Sequence, residues 1–176
     1  TDEKPLMMID PAYTNYISFA ERVGRKTVTI KRKMEDNGKF TLPEVSEIEE
    51  MIQKHNPGAL LVIPYDNPTG QLYDYENMKD LAKLCVKYNM WMVSDEAYRE
   101  LYYQEDKPLV SIWGLTDADV PGIEGRRISI ETASKVWNAC GLRIGAVITL
   151  SSIIDQSQNI LLIFVQTLSD STYLLL

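Results

Sequence analysis

"ALLVIPYDNPTG", residues 59–70, begins with apolar residues that do not alternate and ends in a short polar cluster. A run this brief and this uniformly apolar is what a strand covered on both faces requires, and such strands belong to parallel sheets. The polar cluster then falls at the carboxyl end of the strand. In open α/β sheets ligands collect outside that end. One stretch therefore predicts an architecture and the location of a site.

The surroundings repeat the pattern. "LMMID" (6–10), "TVTIK" (27–31), "MWMVSD" (90–95), "RRISIE" (126–131) and "GAVIT" (145–149) read as further strands. Helical spacing lies between them. "YTNYISFAERVG" (13–24) has apolar residues at Tyr13, Tyr16, Ile17 and Ala20 and a glycine stop at Gly24. "TLPEVSEIEEMIQKHNPG" (41–58) starts with Thr41 and Glu44 in capping-box spacing and Pro43 inside the first turn, and Val45, Ile48, Met51 and Ile52 give it a buried face. "DYENMKDLAKLCVKYN" (74–89) takes Asp74 as its cap, and "EAYRELYY" (96–103) suggests a short helix. Strand and helix in alternation predict parallel βαβ units, hence an α/β fold: a mostly parallel open sheet with helices on both faces. Residues 1–149 form one such domain segment. Residues 150–176 break the rhythm, with Asp155 and Asp170 as their only charged side chains. A core helix, a strand pair and a displaced or foreign terminal piece all remain open for that tail.

Composition excludes several classes of function. The chain has 176 residues and a formal net charge of −7, which argues against nucleic acid as the main partner. The short "KRK" at 31–33 is expected on a solvated strand edge or loop. The longest apolar run, "ILLIFV" (160–165), is far too short to cross a bilayer, and "TDEKPLMMID" lacks the apolar core of a signal peptide. Cys85, Cys140 and His55 make neither a disulfide framework nor a metal site; both cysteines are expected to pack, and His55 to sit at a helix end on the surface. A cytoplasmic protein without membrane contact is expected.

Polar clusters follow three of the strands: "YDNPTG", "EAY" and "TASK". Their placement makes Asn67, Asp95, Tyr98 and Lys135 neighbours around one crevice. Singly, each has an ordinary explanation. Asn67-Pro68-Thr69-Gly70 is a good turn, Asp95 a good helix cap, Tyr98 a packing residue and Lys135 a solvated helix start. Their joint occurrence, in order and at strand ends, favours a site.

"NPTG", "SDEAYRE" and "TASKVWNACGLRIG" together resemble the class I/II aminotransferases, fold-type I enzymes that use pyridoxal 5′-phosphate (PLP). The resemblance covers most of residues 5–149, and it implies the central portion of that family's large domain. It makes Lys135 the lysine that holds the cofactor as a Schiff base, and Asp95 the partner of the pyridine nitrogen. Asn67 and Tyr98 become hydrogen-bond partners of the phenolic oxygen, and Arg143 the phosphate-binding arginine. Thr132 stands where the family commonly has serine, and Tyr13 where it stacks an aromatic ring on the cofactor. Packing is the rival explanation for Tyr13. Gly141 and Gly145, flanking Arg143, suit either close backbone approach or a simple tight turn.

The implied activity is transfer of an amino group between an amino acid and a 2-oxo acid by a homodimer. A sister PLP lyase or synthase shares the same cofactor residues, and a non-catalytic truncated large domain is the third possibility. Relatives of the family are longer and carry a further arginine for the substrate carboxylate; no arginine follows Arg143 here. The resemblance therefore carries cofactor contacts and no substrate contacts.

Overall fold

In the computed structural model, residues 4–101, 103, 108–149, 162–166 and 172–175 are described, the last two segments as strand backbone. The strands in chain order are β1 (Leu6–Asp10), β2 (Thr27–Lys31), β3 (Lys33–Met34), β4 (Phe40–Thr41), β5 (Ala59–Val62), β6 (Trp91–Asp95), β7 (Arg127–Thr132), β8 (Ile144–Thr149), β9 (Leu162–Gln166) and β10 (Thr172–Leu175). The helices are α1 (Asn15–Arg22), α2 (Val45–His55), α3 (Tyr75–Lys87) and the single turn α4 (Ala133–Val136).

The main sheet has eight strands in the order β10-β9-β8-β7-β6-β5-β1-β2, while β3 and β4 form a separate ribbon. From β2 to β7 every neighbouring pair is parallel, and β8, β9 and β10 then add antiparallel strands. This is the mostly parallel α/β sheet that the apolar run at 59–64 predicts. β2 lies on one flank of β1, and β5 returns to the other. The strand order therefore reverses between β1 and β5, the position at which such sheets open a crevice for ligands.

The core follows the two-residue period of the strands. Met7, Ile9, Leu60, Val62 and Met92 point to one face and join Ile48 and Ile52 of α2 with Met78, Leu81 and Cys85 of α3. Met8 and Leu61, one step along, are buried on the opposite face. Each such side chain contributes about 1.5–3 kcal/mol of hydrophobic burial. Burial also pushes the Cys85 thiol up to about 12, so it packs as a small apolar group.

Several local expectations are corrected. The capping box of α2 lies three residues later than Thr41 and Glu44: Glu44 is the cap, and its N–H donates to Glu47 Oε2 at 2.9 Å. Thr41 is held in β4, and Pro43 disfavours a helical Leu42, so the helix starts only beyond them. Asp74 caps α3 as expected, accepting the Asn77 N–H at 2.7 Å. "EAYRELYY" forms no helix among its described residues. Glu96 is 1% exposed, its carboxylate accepting the Ser111 hydroxyl (2.7 Å) and the Ile112 N–H (2.6 Å), and that inward pull turns the chain tightly. Arg32 of "KRK" is buried, not solvated, in an ion pair with Asp66. Cys140 is exposed rather than packed, because it sits in the loop that leads into β8.

"GAVIT" does form a strand, β8, but it runs antiparallel to β7 and is followed in the sheet by β9. The return is close. A Cβ on Gly145 would stand 2.8 Å from the Glu131 carbonyl oxygen, a backbone atom that cannot swing aside, whereas one on Gly141 would meet open space. Gly145 is thus the glycine that close approach requires. Gly145→Ala should cost about 1–3 kcal/mol by overpacking, read as a lower urea midpoint. An unchanged midpoint would contradict the contact.

Candidate active site

Because β1, β2, β5, β6 and β7 are parallel, the segments that leave their carboxyl ends emerge along one edge. Tyr13 follows β1, Asn67 follows β5, Asp95 ends β6, and Thr132 and Lys135 follow from β7. β8 runs the other way, which puts its preceding residue, Arg143, on the same edge. Tyr98 lies three residues beyond the end of β6, so all seven residues singled out in the sequence share the carboxyl edge of the parallel strands.

Two local clusters are built there. Asp95 Oδ2 accepts the Tyr16 hydroxyl at 2.6 Å, and Asp95 Oδ1 accepts the Ala97 N–H at 3.0 Å. Burial pushes the Asp95 carboxyl above the usual carboxylate range, while these two bonds pull it back. Burial, then the charge of Asp95, drives the Tyr16 phenol far up, so Tyr16 stays a proton donor. The Tyr13 ring meets the Tyr16 ring edge-on, with centroids 6.0 Å apart, and remains 38% exposed. In the second cluster, Lys135 Nζ lies 5.6 Å from the centroid of the Tyr98 ring, within reach of a cation–π interaction.

Thr132 caps α4 by accepting the Ser134 N–H at 3.1 Å. Arg143 has φ +53°, the left-handed region, and its guanidinium donates to the Cys140 carbonyl at 2.9 Å. A non-glycine residue held there costs of order 1 kcal/mol, and such positions cluster at ligand sites. Asn67 is half-buried in the turn that follows β5.

The sequence reading missed two contributions. Tyr16 was assigned to the apolar face of α1; the signal was a phenol hydroxyl on a face otherwise expected to be apolar. Arg99 was not singled out. Its guanidinium bridges Glu96 Oε2 (2.5 Å) and Glu131 Oε1 (3.0 Å), which braces the turn carrying Tyr98 against β7. Beside this bridge lies a cavity of about 340 Å³ that Glu96, Arg99, Glu131 and Trp137 help to line. Among the described residues no group of His, Cys, Asp or Glu is arranged to hold a metal, and no helix is long and apolar enough to cross a membrane.

The sequence profile described as aminotransferase class I and II matches residues 1–171, and the chain belongs to that family. It is 30% identical over 148 residues to an aspartate aminotransferase from Pyrococcus horikoshii, an alignment covering 84% of this chain and 34% of that protein. The chain thus spans about a third of that relative's length. The crystal structure of an aromatic aminotransferase from Pyrococcus horikoshii superposes with a TM-score of 0.74 at 26% identity, over 88% of this chain and 39% of that one. A PLP-bound C-S lyase from Staphylococcus hominis gives the same TM-score, 0.74, at 17% identity, over 87% of this chain and 37% of the lyase, and that likeness concerns the fold alone.

Proposed function

We propose that this chain carries the cofactor bed of a PLP-dependent aminotransferase, which moves an amino group between an amino acid and a 2-oxo acid. The observation that carries the reading is the placement of a carboxylate, Asp95, and an amine, Lys135, at the ends of the adjacent parallel strands β6 and β7.

The donor set fits the cofactor. Lys135 supplies the amine that bonds its aldehyde, Asp95 the anion for its ring N–H, and Arg143 planar paired donors for its phosphate. Asn67 and Tyr98 supply donors for its phenolic oxygen, Thr132 a further hydroxyl, and Tyr13 a ring to cover one face. When bound, PLP supplies an electron sink for the charge left at the substrate Cα. Lys135 Nζ would then be the base that takes the substrate Cα proton and the acid that gives it back. Asp95 keeps its negative charge at the ring nitrogen, with the Tyr16 hydroxyl holding the carboxylate in place. A homodimer in the cytoplasm is the setting this reading implies.

The test is a half-reaction with the whole protein and added PLP. An amino-acid substrate should convert the bound cofactor to its amine form with release of one 2-oxo acid. Release of ammonia and pyruvate instead would make the protein a lyase. Arg143→Ala should weaken cofactor affinity about 10- to 150-fold, the loss of about 1.5–3 kcal/mol of charged hydrogen bonding, as measured by equilibrium dialysis. Unaltered affinity would remove Arg143 from the site.

A further inference from the structure

Arg32 and Asp66 form a fully enclosed ion pair, with side chains 1% and 0% exposed and Nη2–Oδ1 at 2.7 Å. Arg32 directly follows β2, and its own N–H donates to the Asp10 carbonyl, 2.7 Å away at the end of β1. From there its guanidinium reaches past β1 to the turn after β5, where it also meets Gln71 Oε1 and the Tyr73 hydroxyl (3.0 Å). The other oxygen of Asp66 faces into that turn. Oδ2 accepts the Thr69 N–H at 3.1 Å and the Thr69 hydroxyl, and the Asp66 carbonyl accepts the Gly70 N–H at 2.9 Å. One carboxylate therefore joins the segment 66–70 to the opposite side of the crevice between β1 and β5.

Stability alone does not account for the arrangement. A four-residue turn needs no buried charges, and a buried ion pair is often no more stable than an apolar pair of the same volume. Arg32 Nε is moreover buried with no hydrogen-bond partner. What the pair does fix is direction: Asp66 immediately precedes Asn67. We propose that Arg32 and Asp66 are positioning residues that orient the 66–70 turn so that Asn67 donates its hydrogen bond to the bound cofactor. The role rests on the PLP reading and on the contact assigned to Asn67.

The experiment uses the whole protein loaded with PLP and follows the pH midpoint of the cofactor's visible absorbance change. A hydrogen bond donated to the phenolic oxygen draws charge from it and lowers the proton affinity of the conjugated nitrogen. Asn67→Ala should raise the midpoint. Asp66→Asn and Arg32→Lys should raise it in the same direction, at least half as far, and Asn67→Ala combined with Asp66→Asn should go no further than Asn67→Ala, because all three remove one interaction. Thr69→Ala removes the hydroxyl bond to Asp66 Oδ2 and keeps both the backbone N–H bond and the ion pair; it should also raise the midpoint, and it decides the matter if the buried variants do not fold. Wild-type midpoints in folded Arg32→Lys and Thr69→Ala, beside a raised one in Asn67→Ala, would leave the pair a purely structural brace and overturn the proposal. An unmoved midpoint in Asn67→Ala itself would overturn the contact assigned to Asn67, and the positioning role with it.

Discussion

Lys135→Ala should leave no cofactor adduct for borohydride to trap and should lower transamination about 10⁴-fold or more. A positioned group that moves a proton in the transition state is worth about 10²–10⁴ in rate, and the proposed function has this lysine both anchor the cofactor and move the proton. No ordinary lysine replaces it from solution: with a pKa of about 10.4, roughly one in two thousand is neutral at pH 7. The fold gives the variant a clean readout. Lys135 is exposed on the single turn α4, whose cap is the Thr132 side chain, and alanine is the best helix former. The thermal midpoint should therefore stay where it is while chemistry is lost. Added small primary amines should restore part of the rate. Peptide mapping after reduction checks the assignment, and an adduct that persists in Lys135→Ala would sink it.

The parallel half of the sheet was legible because its strands are short β-rich runs, nearly all apolar in β1 and β5, and helices of clear period follow β1, precede β5 and link β5 to β6. β1 and β2 fall where "LMMID" and "TVTIK" put them, and β5 and β6 differ from the expected spans only at their ends. What escaped were features set by tertiary partners. Pattern cannot tell whether Arg32 in "KRK" is solvated or buried, because its partner Asp66 is distant in sequence. Nor does local propensity reveal that Glu96 is drawn inward to Ser111 and Ile112, beside a turn at 97–100 where a helix was expected. The direction of β8 is likewise a pairing property: "GAVIT" looks the same parallel or antiparallel.

The shared edge of the candidate site residues was legible for a different reason. Asn67, Asp95, Tyr98 and Lys135 all lie at or just beyond the ends of strands, so once the sheet is parallel, geometry places them on one edge. Arg143 joins them only because β8 reverses, which the sequence did not disclose. The supporting residues stayed hidden. Tyr16 and Arg99 act through side-chain contacts, Tyr16 with Asp95 on β6 and Arg99 with Glu131 on β7, and no spacing rule links those positions.

Asp95→Ala is the second large expected effect. Truncating one partner of a buried, hydrogen-bonded charge pair costs about 2–5 kcal/mol, which corresponds to roughly 30- to 4,000-fold in rate. The pH dependence has a definite sign. Asp95 must be ionised to stabilise a protonated ring nitrogen, and burial raises its pKa above the usual carboxylate range. Activity should therefore fall on the acid side at a pH higher than an ordinary aspartate would give. The Tyr16 hydroxyl pulls that pKa down, so Tyr16→Phe should move the acid limb further toward neutral pH, measured as kcat/KM against pH. An acid limb that does not move in Tyr16→Phe would sever the Tyr16–Asp95 link from catalysis. The same raised pKa works against the fold. A carboxyl whose folded pKa lies above its unfolded value contributes stability below the unfolded pKa and loses it as pH rises through the folded one. When ionised in the cofactor-free protein, Asp95 is thus a poorly solvated charge. Asp95→Asn removes that charge, so the cofactor-free variant should be at least as resistant to urea as wild type while its activity collapses. A variant both inactive and less stable would instead mean that Asp95 serves chiefly to hold the end of β6, and its loss of activity would no longer report on the cofactor.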